Sequence, residues 1–315
     1  VKVRLITPAP PRSRAGNRAT ASRWAAILRE LGHRVDVSVD YGGEPADLMV
    51  ALHAWRSAEA IGRFVHAYPD RPLVVAITGT DAYRFIHSHP EPTLRSIALA
   101  HRLVGLHDLI AETVPPEHRH KVRVIYQSAR PIAGRHPAQH AFRVCVAGHL
   151  REEKDSLRPA MAVRALPAAS RLQVDHYGAA HTSDWAATAC NEMAMNPRYR
   201  WHGEIPYHRL REVYARSHLL VLPSRMEGGA NVISEVVVAG LPVIASRIAG
   251  SIGLLGPDYP GCYPVEDAAA LRELLLRAEA DSGFYRSLET ACAARRGLFT
   301  PERERAGWAA LLREL

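Results

Sequence analysis

The chain has 315 residues and a mass of 34.7 kDa, more than one hydrophobic core comfortably organises, so two domains are expected. Forty Lys and Arg against 32 Asp and Glu give a net charge of +8, and all the basic residues except Lys2, Lys121 and Lys154 are scattered arginines, which suits anionic ligands but forms no nucleic-acid-reading motif. Cys145, Cys190, Cys262 and Cys292 lie far apart without a C-x-x-C pair, and no apolar run nears the roughly 20 residues of a membrane span; this argues against a zinc site, a disulfide framework and a membrane partner, and points to the cytoplasm.

VKVRLIT opens the chain as a strand rather than a signal peptide. A loop rich in Pro, Arg and Gly follows, then the amphipathic TASRWAAILRELG and the strand HRVDVSV, the opening βαβ unit of a parallel sheet. The alternation continues through DLMVALH, a helix over 57–67, PLVVAITG, a helix over 92–99, RLVGL and KVRVIY. Strands this apolar are expected to be buried on both faces. Residues 127–141, rich in Pro, Gly and polar side chains, read as an interdomain linker. A second series then runs FRVCVAG, a helix over 157–165, RLQVDHYG, a helix over 184–191, YRWHGEI, a helix over 207–216 and HLLVLPS. A long helix begins at 268, and Thr300–Pro301 starts a final one. The expected architecture is α/β, with two Rossmann-like doubly wound domains facing a central cleft: 1–140, 141–299, and a C-terminal helix, 300–315, packing back on the first domain.

Ligands bind beyond the carboxyl ends of parallel strands, and the polar loops fall there: Gly16–Asn17, His53, 78–81, 148–154, 203–205 and 224–231. In SRMEGGANVISEVVVAGLPVIAS two glutamates, Glu227 and Glu235, stand either side of a Gly-rich turn that opens a helix near Asn231, with Gly240 as its stop. Carboxylates accept paired sugar hydroxyls, and helix N-terminal amides accept phosphate, so this string suits a hexose, a diphosphate and a ribose in a row. AGHLREEKD brings Gly148, His149, Arg151 and Lys154 to the end of another strand. ALHAWRS and ITGTD bring His53, Arg56, Thr78, Thr80 and Asp81 to two more, where His53 reads equally as a core residue. There is no D-x-D sequence, and the histidines have no ligand spacing, so no metal and no cofactor is expected.

The spacing of Glu227 and Glu235 resembles the E-x7-E signature of retaining GT-B glycosyltransferases. That resemblance implies that Glu227 acts on the hexose, that Gly228, Gly229, Ala230 and Asn231 hold the diphosphate, and that Glu235 holds the ribose. It also implies that Lys154, with Arg151 or Arg225, neutralises the leaving diphosphate; the usual Arg position is His149 here. The Gly16–Asn17 loop, with Thr20 and Arg23, corresponds to the loop that closes over the donor phosphates. GSIGLLG corresponds to a loop beneath the sugar diphosphate, and Gly203 and Ile205 to the backbone that faces uracil. Thr78 stands where many relatives carry a histidine, which disfavours an ordinary alcohol acceptor.

Taken in order, LITPA, ALHAWRSAEAI, ITGTDAYR, VAGHLREEK, SRMEGGANVISEVVVAGLPVIASRIAGSIGLLG and PERERA resemble a narrower family, the selenosugar synthases of selenoneine biosynthesis. This implies a UDP-sugar donor, UDP-N-acetylglucosamine or UDP-glucose, and a selenophosphate acceptor held by Arg56 and Thr80 beside Thr78 and Asp81. His53, Lys154, Arg151 and Glu227 would be the catalytic set, and a downstream pathway enzyme would receive the 1-selenosugar. Transfer of a hexose to a hydroxyl of a small metabolite or lipid, and nucleotide-sugar binding without catalysis, are the alternatives.

Overall fold

In the computed structural model, which describes residues 1–13 and 15–315, the chain packs as two compact units. The first comprises Val1–Ser128, Glu227–Asn231 and Leu298–Leu315; the second comprises Ala129–Met226 and Val232–Gly297. The sequence reading changes domain at 140/141, whereas the structure changes unit after Ser128. Backbone and side-chain hydrogen bonds hold the segment after it to the second unit: Arg135 donates to the carbonyls of Gly240 (2.7 Å) and Ser217 (3.2 Å), and the His136 amide donates to Ala215 (2.8 Å). Residues 298–315 belong to the first unit.

In the first unit the elements run β1 (Lys2–Ile6), α1 (Gly16–Glu30), β2 (Arg34–Ser38), β3 (Leu48–Leu52), α2 (Ala58–Ala67) and β4 (Leu73–Ala76). A π-helical turn, Asp81–Phe85, then leads into α3 (Ile86–Ser88), α4 (Pro90–Leu99), β5 (Arg102–Gly105) and β6 (Val122–Val124). The strands form one parallel sheet in the order β2-β1-β3-β4-β5-β6. Period-2 alternation divides each central strand between two cores. Val3, Leu5, Leu48, Val50 and Leu52 join Trp24 and Leu28 of α1 on one face, while Ile6, Met49 and Ala51 join Ile61 and Phe64 of α2 on the other. Burial on both faces holds for β3 and β4 but not for the edges, where Val124 is 36% exposed.

Helix α1 starts four residues before TASRW, so Gly16 and Asn17 form its first turn and are not a loop ahead of it. The Ser13 hydroxyl accepts the Ala15 amide (3.1 Å) and the Thr7 hydroxyl donates to the Asn17 carbonyl (3.3 Å), which fixes the entry early.

The second unit runs β7 (Phe142–Ala147), α5 (Arg158–Val163), β8 (Leu172–Tyr177), α6 (Ser183–Met195), β9 (Tyr199–Trp201), α7 (Tyr207–Arg216) and β10 (Leu219–Leu222). It continues with α8 (Asn231–Ala239), β11 (Val243–Ser246), α9 (Ala249–Leu255), β12 (Cys262–Tyr263), α10 (Ala268–Ala280) and α11 (Ser282–Arg295). Its parallel sheet has the order β12-β11-β10-β7-β8-β9, so the strand order reverses between β7 and β10, the place where doubly wound sheets bind ligands. GSIGLLG is helix α9 and not a loop, because its apolar Leu254 and Leu255 are buried and Gly256 ends the helix. The long helix from 268 breaks at Asp281, whose carboxylate caps α11 through the Gly283 and Phe284 amides.

The last helix, α12 (Pro301–Leu312), begins after Thr300, whose hydroxyl accepts the Arg303 amide. It places Trp308 edge-on to Trp24, with ring centroids 4.8 Å apart, inside the first-unit core.

Candidate active site

In the first unit His53, Arg56, Thr78, Thr80 and Asp81 follow β3 and β4 at their carboxyl ends. Asp81 is buried and accepts three hydrogen bonds of 2.7 Å: Oδ1 from the amide and hydroxyl of Thr78, Oδ2 from the amide of Ala54. It therefore ties the two loops together, and its own acceptor capacity is largely spent. His53 sits at φ +77° and is 1% exposed. Its Nδ1 accepts the Arg56 amide (3.2 Å), so Nε2 carries the proton and donates to the Thr80 hydroxyl (2.9 Å). Burial, helped by the nearby Arg56 charge, pushes the imidazole pKa down despite Asp81. Neither ring nitrogen is left to take a proton from a substrate, whereas the Thr80 hydroxyl still has its own hydrogen to donate.

Arg56 is exposed, its guanidinium 6.0 Å from the ring centres of both Trp55 and Phe85. Those rings stack at 3.9 Å and Phe85 lies on the π-helical turn, so the cation stands on an aromatic shelf. Local sequence pattern points to Arg56 but to neither ring, and marks no element at the turn.

Glu227 and Gly228 pack against the Thr78–Gly79 backbone of the same unit. A Cβ on Gly228 would stand 2.2 Å from the Gly79 nitrogen, and one on Gly79 would stand 2.6 Å from the Gly228 nitrogen. Only glycine at both positions permits this approach. Glu227 is 8% exposed and Ala230 5%. The Gly229 carbonyl accepts from Gln127 Nε2 (2.6 Å), and the Asn231 side chain meets Thr20 and Arg23. The Gly16 amide belongs to the α1 first turn, and an added Cβ there would lie 3.8 Å from Asn231 Nδ2.

In the second unit the 148–154 loop leaves β7. The fully buried His176 donates from Nε2 to the Gly148 carbonyl (2.8 Å) and accepts from the Tyr199 hydroxyl at Nδ1 (2.8 Å). His149 accepts the Ala179 amide at Nδ1 (3.1 Å), and burial lowers its pKa. Arg151 lies 3.8 Å from Glu153, and Lys154 ends a short 3-10 turn. Arg225 pairs with Glu266 (2.5 Å) and Glu152 (3.6 Å), so its charge is met within the protein. Gly203, at φ +70°, accepts the Gly178 amide (2.8 Å), with Ile205 two residues on and half-buried. The buried Tyr214 hydroxyl donates to Glu235 (2.9 Å) and orients it. No spacing in the sequence signals that pair.

Among the described residues no group of three or more His, Cys, Asp or Glu side chains is arranged to hold a metal ion, and no helix is long and apolar enough to cross a membrane.

Two buried histidines make stability pH-dependent. His176 in the second unit and His107 in the first, whose Nδ1 accepts the Leu109 amide and whose Nε2 meets the Tyr83 hydroxyl, both have pKa values lowered to about 4 by burial. Unfolding releases each to about 6.5, so the unfolded chain binds more protons in this window and stability falls as pH drops from 6.5 towards 4. Between pH 7.5 and 5.0 each should cost about 2 kcal/mol. Denaturant unfolding at the two pH values checks this, with His176→Gln expected to remove its share; equal stability at both would refute it.

Comparisons with known proteins give a family and a fold. A family model for group 1 glycosyl transferases matches residues 119–281, just over half of the chain. TuaC of Bacillus subtilis (strain 168), named as a teichuronic acid biosynthesis glycosyltransferase, is 32% identical over 77 residues, a stretch covering 24% of this chain and 20% of TuaC. Among solved structures, Anabaena HepE in complex with UDP superposes with a TM-score of 0.79 at 15% identity, covering 100% of both chains. The same protein in complex with UDP-glucose gives 0.77 at 14%, again over 100% of both. Sucrose-phosphate synthase of Thermosynechococcus elongatus gives 0.80 at 18%, over 99% of this chain and 98% of that one. The two parallel six-stranded sheets are thus those of the GT-B fold.

Proposed function

We propose that this chain, which belongs to the group 1 glycosyl transferases, moves a hexose from a UDP-sugar, UDP-glucose or UDP-N-acetylglucosamine, onto the selenium of selenophosphate. Selenium attacks the anomeric carbon, the bond from that carbon to the diphosphate oxygen breaks, and UDP leaves. Water then cleaves the P–Se bond, giving a 1-selenosugar and phosphate for a downstream enzyme of selenoneine biosynthesis.

Support for the donor comes from HepE, a GT-B protein crystallised with UDP and with UDP-glucose, and from the Gly-rich turn that opens α8. Glu227 holds the hexose hydroxyls, the 228–231 amides and Gly16 and Asn17 of α1 receive the diphosphate, Lys154 and Arg151 meet its growing charge, and Glu235 holds the ribose. Gly203 and Ile205 face uracil. Charge on the leaving group is met by Arg, Lys and helix amides, so the reaction is proposed to need no metal.

The acceptor rests on one observation: with Nε2 of His53 protonated and Asp81 spent, the acceptor side offers an exposed cation at Arg56 and no ready base among these residues. A hydroxyl acceptor profits from a base, whereas selenophosphate is already ionised and needs positioning. His53 thus positions Thr80 and the 53–56 turn, Arg56 and Thr80 receive the phosphoryl oxygens, and Thr78 leaves room for them. A reducing cytosol suits the selenol product.

A completed reaction of UDP-glucose with selenophosphate, read by proton–selenium correlation NMR, tests this. Coupling between selenium and the anomeric proton supports the proposal; UDP accompanied only by free glucose overturns it. For the acceptor group, Arg56→Ala should raise the selenophosphate KM about ten-fold with kcat nearly unchanged. An unchanged KM would remove Arg56 from that role.

A further inference from the structure

The first unit contains a buried polar chain that starts on its last helix and ends on the Gly-rich turn. Glu304 of α12 is 1% exposed and accepts from four donors: the single Nε hydrogen of Arg23, shared between its two oxygens (2.9 and 3.0 Å), Trp24 Nε1 (2.8 Å), and the amide and hydroxyl of Ser128 (2.9 and 2.5 Å). Arg23, fixed at Nε by that carboxylate, directs its two remaining nitrogens outward. Nη1 donates to Asn231 Oδ1 (3.1 Å) and Nη2 to Gln127 Oε1 (2.7 Å). Gln127 Oε1 also accepts from the Thr20 hydroxyl (2.6 Å), which orients the amide so that Nε2 points at the Gly229 carbonyl (2.6 Å). Thr20 closes the circuit by accepting from Asn231 Nδ2 (3.4 Å).

Each side chain here is held by the next, and the chain terminates on two residues of the turn. Glycine would leave the Gly229 peptide free to rotate, and rotation would redirect the amides that follow it. We propose that Arg23, Gln127 and Glu304 are positioning residues for nucleotide diphosphate binding: they fix the 229–231 peptides, and so the direction of their amides, before the ligand arrives. This rests on the donor reading above. Arg23 and Thr20 therefore act through the turn instead of touching phosphate. Arginine is required at 23 because three nitrogens in one rigid plane serve three partners, and a lysine ammonium at the end of a flexible stem cannot reproduce that. Pre-set donors bind an anion without the loss of freedom that a mobile turn would suffer.

The test is calorimetric titration of UDP into the wild type, Arg23→Lys and Gln127→Glu, with thermal unfolding alongside. Arg23→Lys keeps a cation beside Glu304 and loses the fork. Gln127→Glu keeps the acceptor for Thr20 and Arg23 and replaces the donor to Gly229 with a repelling oxygen. Arg23→Lys should melt close to the wild type and Gln127→Glu several degrees lower but folded, and both should bind UDP about ten-fold more weakly, with the UDP-sugar KM raised by a similar factor and kcat within about three-fold. Wild-type affinity for UDP in a folded variant of either kind would overturn the positioning role. Failure of the wild type itself to bind UDP would overturn the donor reading, so the two failures are distinct.

Discussion

Glu227→Gln should lower kcat/KM for the UDP-sugar about 100-fold. A carboxylate accepts two sugar hydroxyls through charge-assisted hydrogen bonds of about 2 kcal/mol each, and an amide offers one neutral acceptor and turns a donor towards the second hydroxyl. Losing one such bond and weakening the other to a neutral one amounts to about 3 kcal/mol, or about two decades in rate. UDP carries no hexose, so its affinity should stay within about three-fold of the wild type. The pairing of a lost reaction with a kept nucleotide is the diagnostic result; a kcat/KM within five-fold of the wild type would remove Glu227 from the sugar.

Gly228→Ala should act through shape. The added methyl would fall 2.2 Å from the Gly79 nitrogen and 2.4 Å from the Thr78 carbonyl carbon, both backbone atoms at the end of β4. That strand is wholly buried, so the loop has little freedom to yield and the 227–231 turn must move instead. Overpacking of this kind costs about 3 kcal/mol, and a displacement of about 1 Å at a reacting group costs about 100-fold in rate. The expectation is a melting transition several degrees lower and a kcat/KM about 100-fold lower, with Gly79→Ala behaving alike for the reciprocal reason. Gly62 lies inside α2 with nothing within 4 Å of a built Cβ, so Gly62→Ala should be neutral or slightly stabilising and serves as the control. A Gly228→Ala protein with wild-type melting and activity would show that the two loops do not press on each other.

Much of this was legible from residue order. Periodicity marked α7 at the bounds the structure has, Tyr207–Arg216, and the string around Glu227 announced both the turn and the start of α8 at Asn231. The strand-helix alternation carried the α/β architecture, because buried parallel strands read as short apolar runs. What stayed hidden depends on distance along the chain. Glu304 meets Arg23, 281 positions earlier, and Tyr214 meets Glu235 across 21, and no local pattern encodes either contact. The π-helical turn at Asp81–Phe85 escaped because its residues carry no helical period and its contacts, Asp81 with Ala54 and Phe85 with Trp55, are distant in sequence. GSIGLLG misled in the opposite sense, since its glycines look like a loop while its leucines bury a helix.

The choice of acceptor is the central claim, and one set of parallel reactions bears on it most directly. Purified protein would be incubated anaerobically with UDP-glucose or UDP-N-acetylglucosamine and, in separate tubes, selenophosphate, thiophosphate, phosphate or no acceptor, and UDP release and product mass would be followed together. Rapid UDP release with a selenium-bearing sugar in the selenophosphate tubes, and slow release elsewhere, is the predicted result. UDP release indifferent to selenium, or none at all, would contradict it and leave a group 1 glycosyltransferase with another acceptor.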